Sequence, residues 1–336
     1  MISEVLAAVA RALSRTDKVV ARVGKPLEPD AAPEPMIRVR EVGRVRPYPV
    51  IGVDAASATM MVAGGELGIA SYAVIGPEIS VTYPHTHTPP AGGPPFIAAT
   101  AGDDGPGVTT RYVKLGMRYS DDPDLVMGVP TADVRIGLEN EGLRKGIERA
   151  EEGWVIAVDG PPSHSPSVEG AYWGDEVREL YAERAALVRR ACSEGVAIAF
   201  VVKRVWGVSV LGRDVADHDI LAIALQGASG PALLLGEAEA VRAGVRYVVT
   251  YAAVRHAPYR GYSVFRVEVP ECSPISAEEV SAFMARSALT SGVPVPAPVH
   301  SADYLSKVIA KYLARQAEAA LRIAGAALIY GGGEVV

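Results

Sequence analysis

The sequence predicts a mixed α/β sheet flanked by helices. Three observations support it: a series of short β runs broken by Gly- and Pro-rich turns, a strand–helix–strand unit in mid-chain, and a long helical pattern near the C-terminus.

In chain order, Val5, Leu6, Val9 and Leu13 recur at helical spacing and predict an N-terminal helix. The Pro-rich stretch "GKPLEPDAAPEP", Gly24 to Pro35, follows it as a linker. Residues 1–45 are therefore expected to form a helix and linker that contact a partner or a second subunit, and residues 46–330 the main domain. The runs "YPVIGVDAA", "GELGIASYAVIG", "SVTYP" and "TTRYVKLGMRY" read as an antiparallel meander. The segment "TADVRIGLENEGLRKGIERAEEG" reads as a helix, with Thr131 or Asp133 as cap and Gly153 as stop, and feeds the strand "WVIAVDG". Next, Val177, Leu180, Tyr181, Leu187, Val188 and Ala191 form a helical stripe closed by Gly195, before the apolar strand "VAIAFVVKR". Strand, helix and strand make a right-handed parallel βαβ crossover. A last long helix starts after "PVPAPVH", capped by Ser301, with Leu305, Val308, Ile309, Tyr312 and Leu313 on one face. A meander followed by parallel strands describes a sheet of the ribonuclease H kind, here with an added N-terminal helix and a long C-terminal helix.

Composition narrows the class. A chain of 336 residues with 49% hydrophobic and 21% charged content can bury a sizeable core. Its apolar runs, such as "VAIAFVV" and "AGAALIY", are too short to span a bilayer, and Glu4 and Arg11 interrupt the N-terminal pattern, so neither a membrane helix nor a signal peptide is expected. Cys192 and Cys272 lie far apart with no CxxC spacing, which indicates no disulfide framework and no zinc knuckle. A cytoplasmic protein is expected. Asn140, Gln226 and Gln316 are the only side-chain amides, a shortage that suits a thermophile. The net charge of -6 disfavours tight binding to bare phosphate backbone unless basic surface, metal or a partner offsets it.

Two apolar strands end in acid, at Asp54 in "VIGVD" and Asp159 in "WVIAVDG". Ligands of open α/β sheets sit beyond the carboxyl ends of strands, so neighbouring strands would bring both carboxylates to one rim. Hard divalent cations take oxygen ligands, and two of them roughly 3.5–4 Å apart can stabilise both oxygens of a phosphodiester displacement. One aspartate at a strand end is more often a turn or cap residue; two on apolar strands favour ligation. A third carboxylate would come from Glu139, Glu141, Glu148, Glu151 or Glu152, most of which must be solvated helix face. Lys203, ending the strand beside that of Asp159, either stabilises phosphate charge or pairs with an acid. His300, before the last helix, is a candidate ligand or proton donor, with a surface role as the plain alternative. His85 and His87 lie in a Pro-rich loop, and His164 beside Ser163 and Ser165 lacks the setting of a nucleophile elbow. The terminal "YGGGEVV" lacks the phosphate-loop pattern.

The order "IGVDAAS", "RIGLENE", "VIAVDGPP", "GVAIAFVVKR", "DHDILAIAL" and "SGVPVPAPVHSADYLSKVIAKYL" resembles the archaeal NurA nuclease family from about Pro49 onward. The resemblance implies a ribonuclease H-like core and a homodimer. It also implies manganese-dependent 5′-to-3′ exonuclease activity on single- and double-stranded DNA, with single-strand endonuclease activity. The implied partner is the hexameric translocase HerA, in DNA end resection for recombinational repair. Residue by residue, the family's metal-binding aspartates fall on Asp54 and Asp159, its strand-end lysine on Lys203 and its histidine on His300. The helix glutamate falls on Glu139 or Glu141, and Glu139, four residues after Arg135, is chosen. Asp54, Glu139 and Asp159 would then hold manganese or magnesium, with Lys203 and His300 acting on developing charge. The chain departs from the family in having Ala55-Ala56 after the first aspartate and no tyrosine in "SGVPVPAPV". A catalytically weak adaptor of a DNA motor is the alternative. "IGVDAASATMMVAGG" also resembles the first phosphate loop of actin-like ATPases and sugar kinases, but Ala55 stands where that loop needs glycine.

Overall fold

A computed structural model describes residues 4, 6–8, 37–62, 65–85, 93–100, 112–116, 129–163, 175–203, 205, 210–211, 216–258, 261–326 and 328–329. Strand β1 (Val39–Glu41) lies at one edge of the sheet, and β2 (Val50–Val62) is its axis. β2 pairs antiparallel with β3 (Gly65–Gly76) along its length, from Gly52 opposite Ile75 to Val62 opposite Gly65. β3 then carries β4 (Ile79–Tyr83) beside residues 72–76 and β5 (Ile97–Thr100) beside residues 66–69, both antiparallel. The last predicted member of the meander differs: β6 (Val113–Gly116) runs parallel to β5.

Helix α1 (Val129–Ile147) leads into β7 (Val155–Asp159), which is parallel to β2; α2 (Asp175–Ser193) then crosses to β8 (Ala197–Val202), parallel to β7. The βαβ unit is thus present as expected. Beyond it the sheet continues antiparallel, a stretch the sequence motifs do not announce. Helix α3 (Asp217–Ala224) precedes β9 (Ala232–Arg242), β10 (Val245–Val254) and β11 (Ser263–Pro270), and β1 pairs with β9. Helices α4 (Ala277–Ser291) and α5 (Ala297–Ile323) follow, and β12 (Leu328–Ile329) returns to β2.

The continuous apolar runs of β7 and β8 reflect burial on both faces. Ile156, Val158, Ile198 and Phe200 pack with Leu138, Leu143 and Val188 of α1 and α2. Val155, Ala157, Ala199 and Val201 pack with Val280, Met284 and Val299 of α4 and α5 on the opposite face. Of the N-terminal segment, residues 4 and 6–8 are described; Leu6 is fully buried in the first of these cores. The predicted linker lies outside the described residues.

Three local expectations are corrected. α1 begins at Val129, so the Thr131 hydroxyl does not cap the helix but donates to buried Glu66 at 2.5 Å. α5 begins at Ala297, one turn before Ser301, with Pro298 in the first turn, where the missing N–H costs nothing. Its buried face is also rotated: Ala302, Ser306, Ile309, Ala310, Leu313 and Ala317 face the sheet while Val308 and Tyr312 face outward. The small residues let the helix axis approach the strands closely, and that decides the orientation against the larger side chains.

A fourth correction concerns the cysteines. Cys192, near the end of α2, and Cys272, after β11, form a disulfide with Cα atoms 5.8 Å apart across 80 residues of sequence. β11 runs antiparallel to β8, so its end lies beside the start of β8, where α2 also ends. Sequence spacing says nothing of that adjacency.

Candidate metal centre

The alternation of β2 separates its residues between two faces. Val53 and Ala55 enter the core under α1, which turns Gly52 and Asp54 towards α5. A Cβ on Gly52 would lie 2.2 Å from the carbonyl oxygen of Pro298, so only glycine admits the start of α5 this close to the strand. That contact delivers the next two turns of α5 to Asp54. The Ser306 hydroxyl donates to the Asp54 carboxylate, and the Ser71 hydroxyl of β3 donates to the Ser306 carbonyl at 2.6 Å.

Asp159, at the end of β7, faces the same side as Ala157, and Lys203 the same side as Val201. The Lys203 ammonium stands 2.6 Å from Asp159 and 3.0 Å from Asp303, a residue of α5. Lys307, one turn on, lies 2.9 Å from Asp303. Asp54, Asp159 and Asp303 each place a carboxylate oxygen within 4.8 Å of the other two, and no other such acid, histidine or cysteine group occurs among the described residues.

The electrostatics follow from this crowding. Burial pushes the Asp54 carboxyl up to about 6, helped by the charges of Glu139 and Asp303 and opposed by the Ser306 hydroxyl and Lys203. Burial also pushes Asp159 well above the carboxylate range, and neighbouring Asp54 adds to the rise against the pull of Lys203. Burial acts the same way on Asp303, but hydrogen bonds from Lys307 and Lys203 outweigh it and hold that acid below its ordinary value. Lys203 is held above its own, because the attraction of Asp159 and Asp303 exceeds the cost of burying it. Three hard oxygen donors whose charges repel one another in a buried rim suit a hard divalent cation.

Of the residues singled out in the sequence, Asp54, Asp159 and Lys203 thus come together. Glu139 stands on α1, near enough to raise Asp54, but its carboxylate is bound by the buried Arg184 guanidinium at 2.5 Å. Arg184 also donates to Asn140 at 2.8 Å, which ties α2 to α1. The alternative, Glu141, lies nearer the surface and pairs with Arg144. His300 is exposed in the first turn of α5, outside the acid cluster. His85 is exposed, and His87, His164 and Ser165 lie outside the described residues. A cavity of about 530 Å³ lined by Val205, Leu221, Arg255 and Tyr262 includes none of the acids.

Asp303 joins the site although no strand-end pattern in the sequence marks it. The signal was available in "HSADYLSK": an aspartate four residues before a lysine, with Ser306 on the adjoining buried face of the helix. Starting the helix at Ser301 makes Asp303 an ordinary first-turn acid and hides it.

No protein-family model and no curated protein matches the sequence. Among solved structures, the chain is similar to the NurA nuclease from Sulfolobus solfataricus, with 13% identity and a TM-score of 0.49 over 85% of this chain and 88% of that one. It is similar to NurA with manganese at 10% identity and a TM-score of 0.46, over 84% and 91% of the two chains. NurA bound to dAMP and manganese matches at 10% identity and a TM-score of 0.41, over 82% and 85%. At these values the likeness says nothing of activity, which has to be read from the side chains.

Proposed function

We propose that this chain is a divalent-metal-dependent nuclease that hydrolyses DNA phosphodiesters at the rim formed by Asp54, Asp159 and Asp303. The observation that carries the reading is the convergence of three carboxylates from two neighbouring parallel strands and one helix. An antiparallel meander followed by a parallel βαβ unit is the arrangement expected of a ribonuclease H-like sheet, and the strand order supports that assignment.

In this reading Asp54, Asp159 and Asp303 hold manganese or magnesium, and Glu139 supports the charge balance beside Asp54. The ion supplies Lewis-acid stabilisation of the phosphate in the transition state. Ser306 orients Asp54, and Lys203 holds Asp159 and Asp303 in place while setting a positive charge at the position of a scissile phosphate. The resemblance to the NurA family would make His300, exposed in the first turn of α5, the proton donor to the leaving oxygen. The same resemblance would add 5′-to-3′ polarity, single-strand endonuclease activity, a homodimer and action with HerA in end resection.

End-labelled single-stranded and linear duplex DNA incubated with manganese tests the reading. Loss of label that requires metal and disappears in both Asp54→Asn and Asp159→Asn is the expected result. Activity that survives in both variants overturns it, and a wild-type protein that binds manganese yet cleaves nothing points to the adaptor.

A further inference from the structure

We infer that the outward face of α5 is a single-stranded nucleic-acid track leading to the acid rim; the inference rests on the nuclease reading for its direction but not for its existence. Tyr304, Val308 and Tyr312 recur at every fourth position and are 62%, 44% and 41% exposed. Large apolar side chains in such a row are not singly scattered surface residues. Tyr304 follows Asp303 directly in the helix, so the row starts at the acid cluster. From Tyr304 to Tyr312 the row covers about 12 Å of helix axis.

The charges beside the row select the occupant. Exposed Lys311 and Arg315 flank Tyr312, and neither has an acidic partner among the described residues. Between His300 and Arg315 no exposed position of α5 is acidic, in a chain whose net charge is -6. Gln316 donates its side-chain amide to the Tyr312 hydroxyl at 2.7 Å, which steadies the ring. Aromatic rings interleaved with cations along a line are what a single strand requires: faces on which bases stack and charges that follow the phosphates. A second copy seated on the same face through a two-fold axis would instead bring Lys311 and Arg315 against their own kind.

Binding of the full-length protein to a fluorescein-labelled oligothymidylate of about 16 nucleotides, followed by anisotropy in EDTA, tests the track. Tyr312→Ala should weaken binding about tenfold and Tyr312→Phe should not, because the ring carries the stack. The double variant Lys311→Ala/Arg315→Ala should bind less tightly and with a shallower dependence on salt. Manganese affinity, set by the acid cluster, should stay unchanged in all of these and shows that they fold. Wild-type affinity in the Tyr312→Ala protein, no binding by the wild type, or weakened binding that coincides with a smaller mass in sedimentation overturns the proposal; the last would identify the face as a contact between copies. Manganese-dependent cleavage of the same strand by the wild type separates the two readings. Cleavage with normal binding by Tyr312→Ala removes the track alone, whereas the expected binding pattern without any cleavage removes the nuclease and leaves the track.

Discussion

The Ser306 hydroxyl donates to the Asp54 carboxylate across 252 residues of sequence. This bond joins the central strand to the last long helix and offsets part of the cost of burying Asp54. Ser306→Ala should lower stability by about 1–3 kcal/mol, since a buried carboxylate loses a donor. It should also weaken manganese binding. Urea denaturation and calorimetric titration with manganese measure the two effects, and an unchanged metal affinity would show that the hydroxyl does not orient Asp54.

Asp303→Asn should reduce manganese affinity by at least about 100-fold, comparable to Asp54→Asn, if it ligates directly. The variant leaves Lys203 its contact with Asp159, so the fold should persist by circular dichroism. A loss smaller than about fivefold would remove Asp303 from the ligand set and return Glu139 to it.

The metal-free protein should become less stable as pH rises from about 4 to about 6. Asp54 has its carboxyl pushed up from 3.8 to about 6 in the folded chain, so over that interval the folded state holds a proton that the unfolded state has released. The stability so lost amounts to about 3 kcal/mol, and manganese should restore it above pH 6 but have little effect near pH 5. Melting temperatures at both pH values, with and without metal, check the sign.

Reduction of the Cys192–Cys272 disulfide should cost about 4.5 kcal/mol, the chain-entropy value for a loop closed across 80 residues. The bridge lies at the starting end of β8 and the acids beyond the other, so manganese affinity should not change. Parallel melts and metal titrations with and without reductant separate the two.

Arg184→Met should destabilise the protein by about 3–5 kcal/mol, because Glu139 would stay buried without its guanidinium. The double variant Arg184→Met/Glu139→Gln should recover most of that loss in urea denaturation, which distinguishes a stranded charge from lost packing.

How much of this could be read from the sequence depended on the range of the interactions. Asp54, Asp159 and Lys203 could be found because each ends or interrupts an apolar strand, and strand alternation with parallel pairing then places them on one rim. Glu139 could be separated from Glu141 only through Arg184, which belongs to another helix. Asp303 was hidden by a helix boundary drawn one turn late. The orientation of α5 turned on Ala302, Ser306 and Ala310 fitting against the strands, and hydrophobic periodicity gives such small residues too little weight. The disulfide and the antiparallel strands β9 to β11 depend on which elements become neighbours, information that no local window contains.

The acid cluster draws on the first long strand and on a helix close to the other end of the chain. A nascent polypeptide that has emerged only as far as β11 has Asp54 and Asp159 but neither Asp303 nor Ser306. The rim is therefore incomplete until α5 has been made, and a fragment that stops at β11 carries two of its three carboxylates. In the nuclease reading the order of the chain is itself a safeguard: the acid rim is complete only once α5 has folded onto β2.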